Sequence, residues 1–125
     1  MKRAETPRAQ ALAAKLKPYL DQLGGLIQQA AADLRSDKQP VLLTNASCFL
    51  NVFSSCVVSW IWLRQANVAE QALANGAGEQ DVDFYEGKLA AAEYFLNWEL
   101  PLVSRDIEVL SSREATCNNV KASYF

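Results

Sequence analysis

The sequence predicts an all-α fold, an up-down antiparallel bundle of three long helices. Apolar residues recur at steps of three and four along most of the chain, which is the period of a helix with one buried face. Two short polar segments, residues 36–40 and 75–80, divide this pattern into three stretches. One domain of 125 residues, spanning 1–125, is large enough to bury about two-thirds of its unfolded surface without a metal or a disulfide.

The first predicted helix extends from about Pro7 to Arg35. Pro18 lies inside it, and because proline removes a backbone donor and crowds the preceding turn, we expect a kink or a break there. A break would make the bundle four-helical. The apolar face predicted for this helix consists of Leu12, Leu16, Tyr19, Leu20, Leu23, Leu26, Ile27, Ala30 and Leu34.

The second predicted helix, residues 41–74, begins in the least polar part of the chain. Residues 39–63 carry no charge, and a segment of that length can span a bilayer. The alternatives are a membrane helix and the central helix of a bundle. Hydrogen-bonding side chains interrupt the segment and favour the bundle: Thr44, Asn45, Ser47, Asn51, Ser54, Ser55 and Ser59. Integral membrane insertion is therefore not expected, and peripheral contact stays open.

Helical geometry separates two sides of this second helix. One broad apolar arc contains Ala46, Phe49, Leu50, Phe53, Val57, Trp60 and Ile61. The opposite side, here the serine side, contains Ser47, Asn51, Ser54, Ser55 and Ser59. Small neutral residues suit close approach by another helix or domain, so we expect the serine side to be partly covered. The alternative is a surface that merely tolerates serine.

The third predicted helix starts near Asp81 or Asp83. If Asp83 caps it, Glu86 stands in the capping-box position. Pro101 lies inside the apolar pattern and predicts a bend near Trp98 rather than an end. The predicted apolar line is Phe84, Ala91, Phe95, Trp98, Leu102 and Val109, widened by Tyr85, Leu89, Ala92, Leu96, Val103, Ile107 and Leu110.

The pattern stops after Ser112, so residues 113–123 predict an irregular tail or one short helix. The chain ends in the aromatic pair Tyr124-Phe125. We expect this pair to pack against the bundle, the alternative being a frayed end.

Composition excludes several classes of function. A net charge of −2, with 12 basic and 14 acidic residues spread along the chain, argues against nucleic-acid binding. Histidine is absent, which removes histidine-based nucleophile pairs and the commonest zinc ligand. Cys48 and Cys56 are interpreted as small buried hydrophobic residues and Cys117 as a free thiol. A reducing, cytoplasmic compartment is the expectation.

Charged residues fall within the predicted apolar faces and need partners if they are buried. Arg64 projects from the apolar arc of the second helix, and Lys88, Glu99 and Asp106 lie in the apolar sector of the third. We predict an ion pair between Arg64 and Glu99, because antiparallel helices joined by the 75–80 loop bring those stretches together. The alternative is that these side chains extend to solvent at the edge of the core.

Gly87 and four aromatic residues complete the predicted interface. A helical glycine costs about 1 kcal/mol relative to alanine, so Gly87 suggests a helix crossing where a β-carbon would clash. The residues predicted to have structural or interface roles are Arg64, Glu99, Gly87, Lys88, Trp60, Trp98, Phe84 and Tyr85. Pairs of acidic residues on the helices are not expected to be catalytic.

Two segments carry a resemblance to a known family. Phe84-Tyr85-Glu86-Gly87-Lys88 is followed, thirteen residues after the lysine, by the proline of Glu99-Leu100-Pro101. Residues 57–66 precede this string at a matching spacing. Together they resemble the helical extension at the C-terminal end of one branch of the acyl-CoA dehydrogenases. The resemblance covers roughly residues 40–125.

The resemblance implies a non-catalytic role. In the family, FAD and acyl-CoA are held by upstream domains that also supply the catalytic carboxylate, so no catalytic, cofactor-binding or metal-binding residue is expected here. The implied parent is an FAD-dependent enzyme that oxidises fatty acyl-CoA, and the implied partners are its catalytic domains. The alternative is a stand-alone helical interaction protein that forms a homo-oligomer or pairs with a separate dehydrogenase subunit.

Overall fold

The computed structural model describes residues 6–125, and every regular element in that range is helical. The long helices are α1 (Pro7–Asp33), α3 (Ala46–Ala74) and α4 (Glu79–Tyr94), and a short α2 (Gln39–Thr44) precedes α3. After α4 come a π-helical turn (Phe95–Glu99), a 3-10 turn (Leu100–Val103) and α5 (Ser104–Ser111). A short α6 (Thr116–Asn119) and a 3-10 turn (Ala122–Tyr124) follow. The predicted all-α bundle with three long helical segments is confirmed.

Helix α1 runs through Pro18 without a break, so the four-helix alternative is wrong. Pro18 and Ala14 are both exposed. The carbonyl of Ala14, which loses its helical donor to the proline, therefore lies on the side where water can replace that donor. The buried residues of α1 are Ala9, Leu12, Leu16, Leu23, Leu26 and Asp33. Four of the nine residues of the predicted face are therefore buried, three are half-buried, and Ile27 and Leu34 are exposed.

The second predicted helix is divided. Gln39–Thr44 forms α2, where a polar connection was expected up to residue 40, and α3 begins only at Ala46. Asn45 separates the two helices, and its side-chain amide donates a 2.9 Å hydrogen bond to the carbonyl of Glu114. This bond ties the start of α3 to the tail of the chain.

Helix α3 packs against α1, α4 and α5, but not through the predicted apolar arc. Its buried residues are Val52, Cys56, Ser59, Leu63, Ala66 and Ala69. The predicted arc is wrong as a buried face, because Leu50, Phe53, Val57, Trp60 and Ile61 are all exposed. The serine side is split: Ser59 is buried, Ser55 is half-buried, and Ser47, Asn51 and Ser54 are exposed.

The physical reason lies in the even apolarity of α3. Residues 39–63 lack charge on every side, so periodicity cannot say which edge turns inward. The buried edge contains small side chains at Cys56, Ser59, Ala66 and Ala69. Small side chains let neighbouring helices approach closely, and the bulky residues of the opposite edge remain outside.

Helix α4 begins at Glu79 with Gly78 as its N-cap, earlier than predicted. Asp83 therefore lies inside the helix, and the predicted capping box of Asp83 and Glu86 is wrong. Glu86 instead pairs with Arg8.

The third helical segment continues through Pro101, as predicted, by changing its winding. The wider π-helical turn ends at Glu99, just before the proline, and Pro101 itself lies in the tighter 3-10 turn. The buried residues are Leu89, Ala92, Leu96, Leu100, Val103, Ile107 and Leu110. The predicted central line is wrong for Phe84, Trp98 and Leu102, which are exposed, whereas most of the widening set is buried.

A polar cluster ties the N-terminus of α1 to both other long helices. The Arg8 guanidinium pairs with Glu86 at 2.9 Å and Glu93 at 2.8 Å. The backbone N–H groups of Arg8 and Ala9 donate to the Glu70 carboxylate at 2.9 and 3.2 Å. A carboxylate from α3 thus satisfies donors that the first turn of α1 leaves unpaired, where the helix dipole favours negative charge.

A second polar cluster joins the other end of α1 to the residues after α5. Buried Asp33 accepts two hydrogen bonds from the Arg113 guanidinium, at 2.9 and 3.1 Å. Gln29 donates to the carbonyl of Leu110 at 2.7 Å. The hydrogen bonds from Arg113 lower the pKa of Asp33 below its ordinary value.

The tail differs from the prediction at its end. One short helix, α6, falls within residues 113–123 as one of the two alternatives proposed. Tyr124 and Phe125 do not pack against the bundle, because their side chains are 64% and 98% exposed. The predicted docking of this pair is wrong.

Replacing Ser59 with alanine tests the packing of α3. The Ser59 hydroxyl is buried and has no hydrogen-bond partner among the described residues. Because a buried unpaired hydroxyl is destabilising, we expect Ser59→Ala to raise the free energy of unfolding by about 1 kcal/mol more than Ser54→Ala does. Urea denaturation measures both. Ser54 is exposed, so its variant corrects for the helix propensity of alanine. A loss of stability in Ser59→Ala would show that the hydroxyl has a partner.

Replacing Arg113 with glutamine tests the cluster at Asp33. The folded pKa of Asp33 lies below the unfolded one, so the pair stabilises the fold above the ordinary pKa of an aspartate. That stabilisation is lost as the pH falls through the folded value. We expect Arg113→Gln to lower Tm at neutral pH. The difference in Tm between the variant and wild type should become smaller at acid pH. Lys17→Gln, at the exposed Lys17–Asp21 pair, should change Tm little.

Candidate functional site

A groove between α3 and α4 has a volume of about 450 Å³. Its walls are largely apolar. The residues that matter for its chemistry are Trp60, Ile61, Arg64 and Val68 from α3 and Phe84, Tyr85 and Lys88 from α4. The volume lies in the range of about 300–1,000 Å³ that is typical of ligand pockets.

Five of the eight predicted interface residues line this groove: Trp60, Arg64, Phe84, Tyr85 and Lys88. The sequence assigned these residues structural or interface roles, and the structure brings these five together in one groove. Trp98, Glu99 and Gly87 are not among the lining residues. An interface role for any of the eight stays a prediction.

The two cations of the groove lie over aromatic rings. The Arg64 guanidinium is 5.1 Å from the centroid of the Trp60 ring. The Lys88 ammonium is 5.9 Å from the centroid of Trp62 and 5.5 Å from that of Phe84. Such contacts stabilise a cation without neutralising it.

The predicted Arg64–Glu99 ion pair is wrong. Arg64 is held by Trp60, and the Glu99 carboxylate accepts a 2.7 Å hydrogen bond from the Tyr94 hydroxyl. Both contacts are local, formed within one helical segment, and Arg64 is exposed, so solvent stabilises its charge without a partner across the bundle. The hydrogen bond to Glu99 raises the pKa of Tyr94.

An apolar stripe on α3 extends away from the groove. It consists of Leu50, Phe53, Val57, Ile61 and Val68, which we call the outer stripe, and all five side chains are exposed, Leu50 by 64%. Steps of three, four and seven place them along one edge of the helix. From Leu50 to Val68 the stripe extends about 27 Å at a rise of about 1.5 Å per residue.

Helix α3 is also long and apolar enough to cross a membrane, judged by length and composition alone. Only 22% of the most apolar 18-residue stretch of α3 is buried within the described part of the protein. The uncharged segment is thus less enclosed than the sequence predicted for the central helix of a bundle, since one edge is covered and the other is not.

Trp98 belongs to a separate exposed aromatic cluster. Its ring stacks on Tyr94, with centroids 6.5 Å apart and an interplanar angle of 20°. Trp98 is 72% exposed and Leu102 beside it is exposed as well. This cluster carries the predicted interface residues Trp98 and Glu99 away from the groove.

The thiols near the core are not set up for nucleophilic chemistry. Burial raises the pKa of Cys56, and burial together with a hydrogen bond to Asp106 raises that of Cys48. The reactive form of cysteine is the thiolate, which a raised pKa disfavours. Asp106 is buried and pairs with the neighbouring Arg105 at 2.8 Å, so its predicted need for a partner is met.

The residues that line the groove include no helix N-terminus. Pyrophosphate is commonly bound by free backbone N–H groups at a helix N-terminus. The lining residues at 60–69 and 84–88 lie inside α3 and α4, where the helices use those N–H groups. Among residues 6–125, no group of three or more His, Cys, Asp or Glu residues could hold a metal ion.

Gly87 does not mark a helix crossing. It is exposed, and a β-carbon built on it would meet nothing within 4 Å. The prediction of a close approach at Gly87 is therefore wrong. The opening on this side of α4 is continuous with solvent rather than filled by a neighbouring helix.

Comparison with known proteins identifies the family. The sequence profile described as acetyl-CoA dehydrogenase C-terminal like matches residues 1–121. The chain belongs to this family. The resemblance seen at residues 57–66 and 84–101 is thereby confirmed, and it extends further toward the N-terminus than those motifs showed.

One curated relative matches about half of the chain. The chain is 39% identical over 64 residues to the broad-specificity linear acyl-CoA dehydrogenase FadE5 of Mycobacterium tuberculosis. The match covers 51% of this chain but only 10% of the relative. The matched segment therefore spans about a tenth of that enzyme's length. No solved structure matches the chain.

Replacing Gly87 with alanine tests the open surface around it. Because alanine favours a helix interior and nothing blocks its methyl group here, we expect Gly87→Ala to raise the free energy of unfolding by about 1 kcal/mol. Thermal or urea denaturation measures the gain. Gly24→Ala, at another open helical position, should behave alike. Gly76→Ala should destabilise, because Gly76 has a φ of +81°. A loss of stability in Gly87→Ala would reveal a close approach.

Proposed function

We propose that this chain is a non-catalytic C-terminal domain that packs on the catalytic domains of an acyl-CoA dehydrogenase and contributes to domain packing or subunit assembly. The proposal rests on the exposed outer stripe of α3. A contiguous exposed apolar surface marks an interaction site, and here it lies on the long central helix of a member of this family.

The chemistry of the parent follows from the family rather than from this chain. We propose that the parent uses FAD to oxidise fatty acyl-CoA, as the name of the mycobacterial relative suggests for its substrate. FAD would be bound by the catalytic domains, as the family resemblance implies. Residues 1–121 match the family profile, and we propose that residues 1–125 act as one domain in the cytoplasm.

The positions of the polar contacts in the bundle support docking through α3. The clusters at Arg8 and Asp33 fasten α1 to its neighbours at both ends, and neither cluster involves the outer stripe. The stripe can therefore be covered by another domain without disturbing the contacts that hold the helices together.

Two other occupants could cover the same surface. A second copy of the chain would make it a homo-oligomer, and a lipid surface would make the contact peripheral to a membrane. Light scattering of the isolated chain and sedimentation with liposomes distinguish these from docking on a dehydrogenase. A stable dimer or tight liposome binding, with no binding to the catalytic domains, would contradict the proposal.

Replacing Ile61 with glutamate tests docking directly. A buried charge without a partner is strongly unfavourable, so we expect Ile61→Glu to weaken binding to the FAD-loaded catalytic domains of its dehydrogenase by about tenfold or more. Titration calorimetry measures the Kd. Leu102→Glu is the matched control, because Leu102 is exposed but lies off the stripe. Circular dichroism should show both variants folded. Equal binding by wild type and both variants would remove the outer stripe as the docking surface.

A further inference from the structure

The α3–α4 groove carries positive charge without negative charge. Its ionisable cations are Arg64 and Lys88, and no aspartate or glutamate is among its lining residues. Within residues 6–125, neither cation forms an ion pair with a carboxylate, and their recorded contacts are with aromatic rings. In the isolated chain, solvent at this open groove stabilises both charges.

Docking would change the surroundings of these charges. A partner that covered the groove would remove Arg64 and Lys88 from water, and an uncompensated charge in such a place is strongly unfavourable. An interface that uses this groove therefore requires a countercharge from the partner. Complementary charges across an interface also fix its register and speed association.

The shape of the surface indicates what supplies that countercharge. The groove lies between two long neighbouring helices and is continuous with the outer stripe through Ile61 and Val68. Together they extend for about 27 Å along α3 at a rise of about 1.5 Å per residue, which matches a helix of several turns. A helix laid in an apolar groove is a common recognition mode.

We propose that the segment of the catalytic domains that fills this groove is an amphipathic helix with carboxylates on its buried face, and that these pair with Arg64 and Lys88. This inference rests on the proposed docking function and specifies the partner surface. Trp60 and Phe84 would keep the two cations in place for the acidic side chains, since both rings already contact them.

Neutralising both cations tests the inference. We expect the double variant R64Q/K88Q to bind the FAD-loaded catalytic domains about tenfold or more weakly at low salt than wild type. Its affinity should also depend less on ionic strength, because fewer charge pairs are screened. The charge-reversal variant R64E/K88E should bind more weakly still. Titration at several salt concentrations measures all three effects.

The control removes the same number of charges elsewhere. K17Q/K121Q changes the net charge equally, and both lysines are exposed and lie outside the groove. It should retain wild-type affinity and salt dependence. Melting temperatures should show that Gln at positions 64 and 88 leaves the fold intact.

The outcomes separate this inference from the proposed function. If Ile61→Glu abolishes binding while R64Q/K88Q keeps wild-type affinity and salt dependence, the acidic helix is wrong and docking stands. If the wild-type chain does not bind the catalytic domains, both are wrong. Weaker binding by K17Q/K121Q to the same extent as R64Q/K88Q would also overturn the inference, since the effect would then come from net charge alone.

Discussion

Burial of the small-residue edge of α3 is the constraint on which the rest of the structure depends. Cys56, Ser59, Ala66 and Ala69 turn inward, which lets α1 and α4 pack closely against the central helix. The bulky side chains of the same helix are then forced outward, from Leu50 to Val68. The orientation of α3 therefore determines both which residues form the core and which form the candidate interaction surface.

Polar contacts make that orientation hold while leaving the outer surface free. Glu70 and Arg8 join α3 and α4 to the start of α1, and Asp33 and Arg113 join its end to the residues after α5. Each contact links residues more than sixty positions apart in the sequence. The bundle is thus fastened at two ends, and neither cluster contributes to the lining of the groove between α3 and α4.

The charges of this protein divide into those that are satisfied internally and those that are not. Glu70, Asp33 and Asp106 have partners within the chain, whereas Arg64 and Lys88 rest on aromatic rings in an apolar groove. That division is the main chemical feature of the surface. It separates residues that hold the fold together from two cations that have no carboxylate partner within residues 6–125.

The sequence by itself determined the helical class, the three long segments and the family, because these depend on local periodicity and short motifs. It could not determine which edge of α3 is buried, since a helix apolar on nearly every side carries no directional signal. Nor could it pair Arg8 with Glu86, or Asp33 with Arg113, because those partners meet only when distant segments pack. The tertiary structure decided these matters, and with them that Trp60, Arg64 and Lys88 belong to an open groove instead of the core.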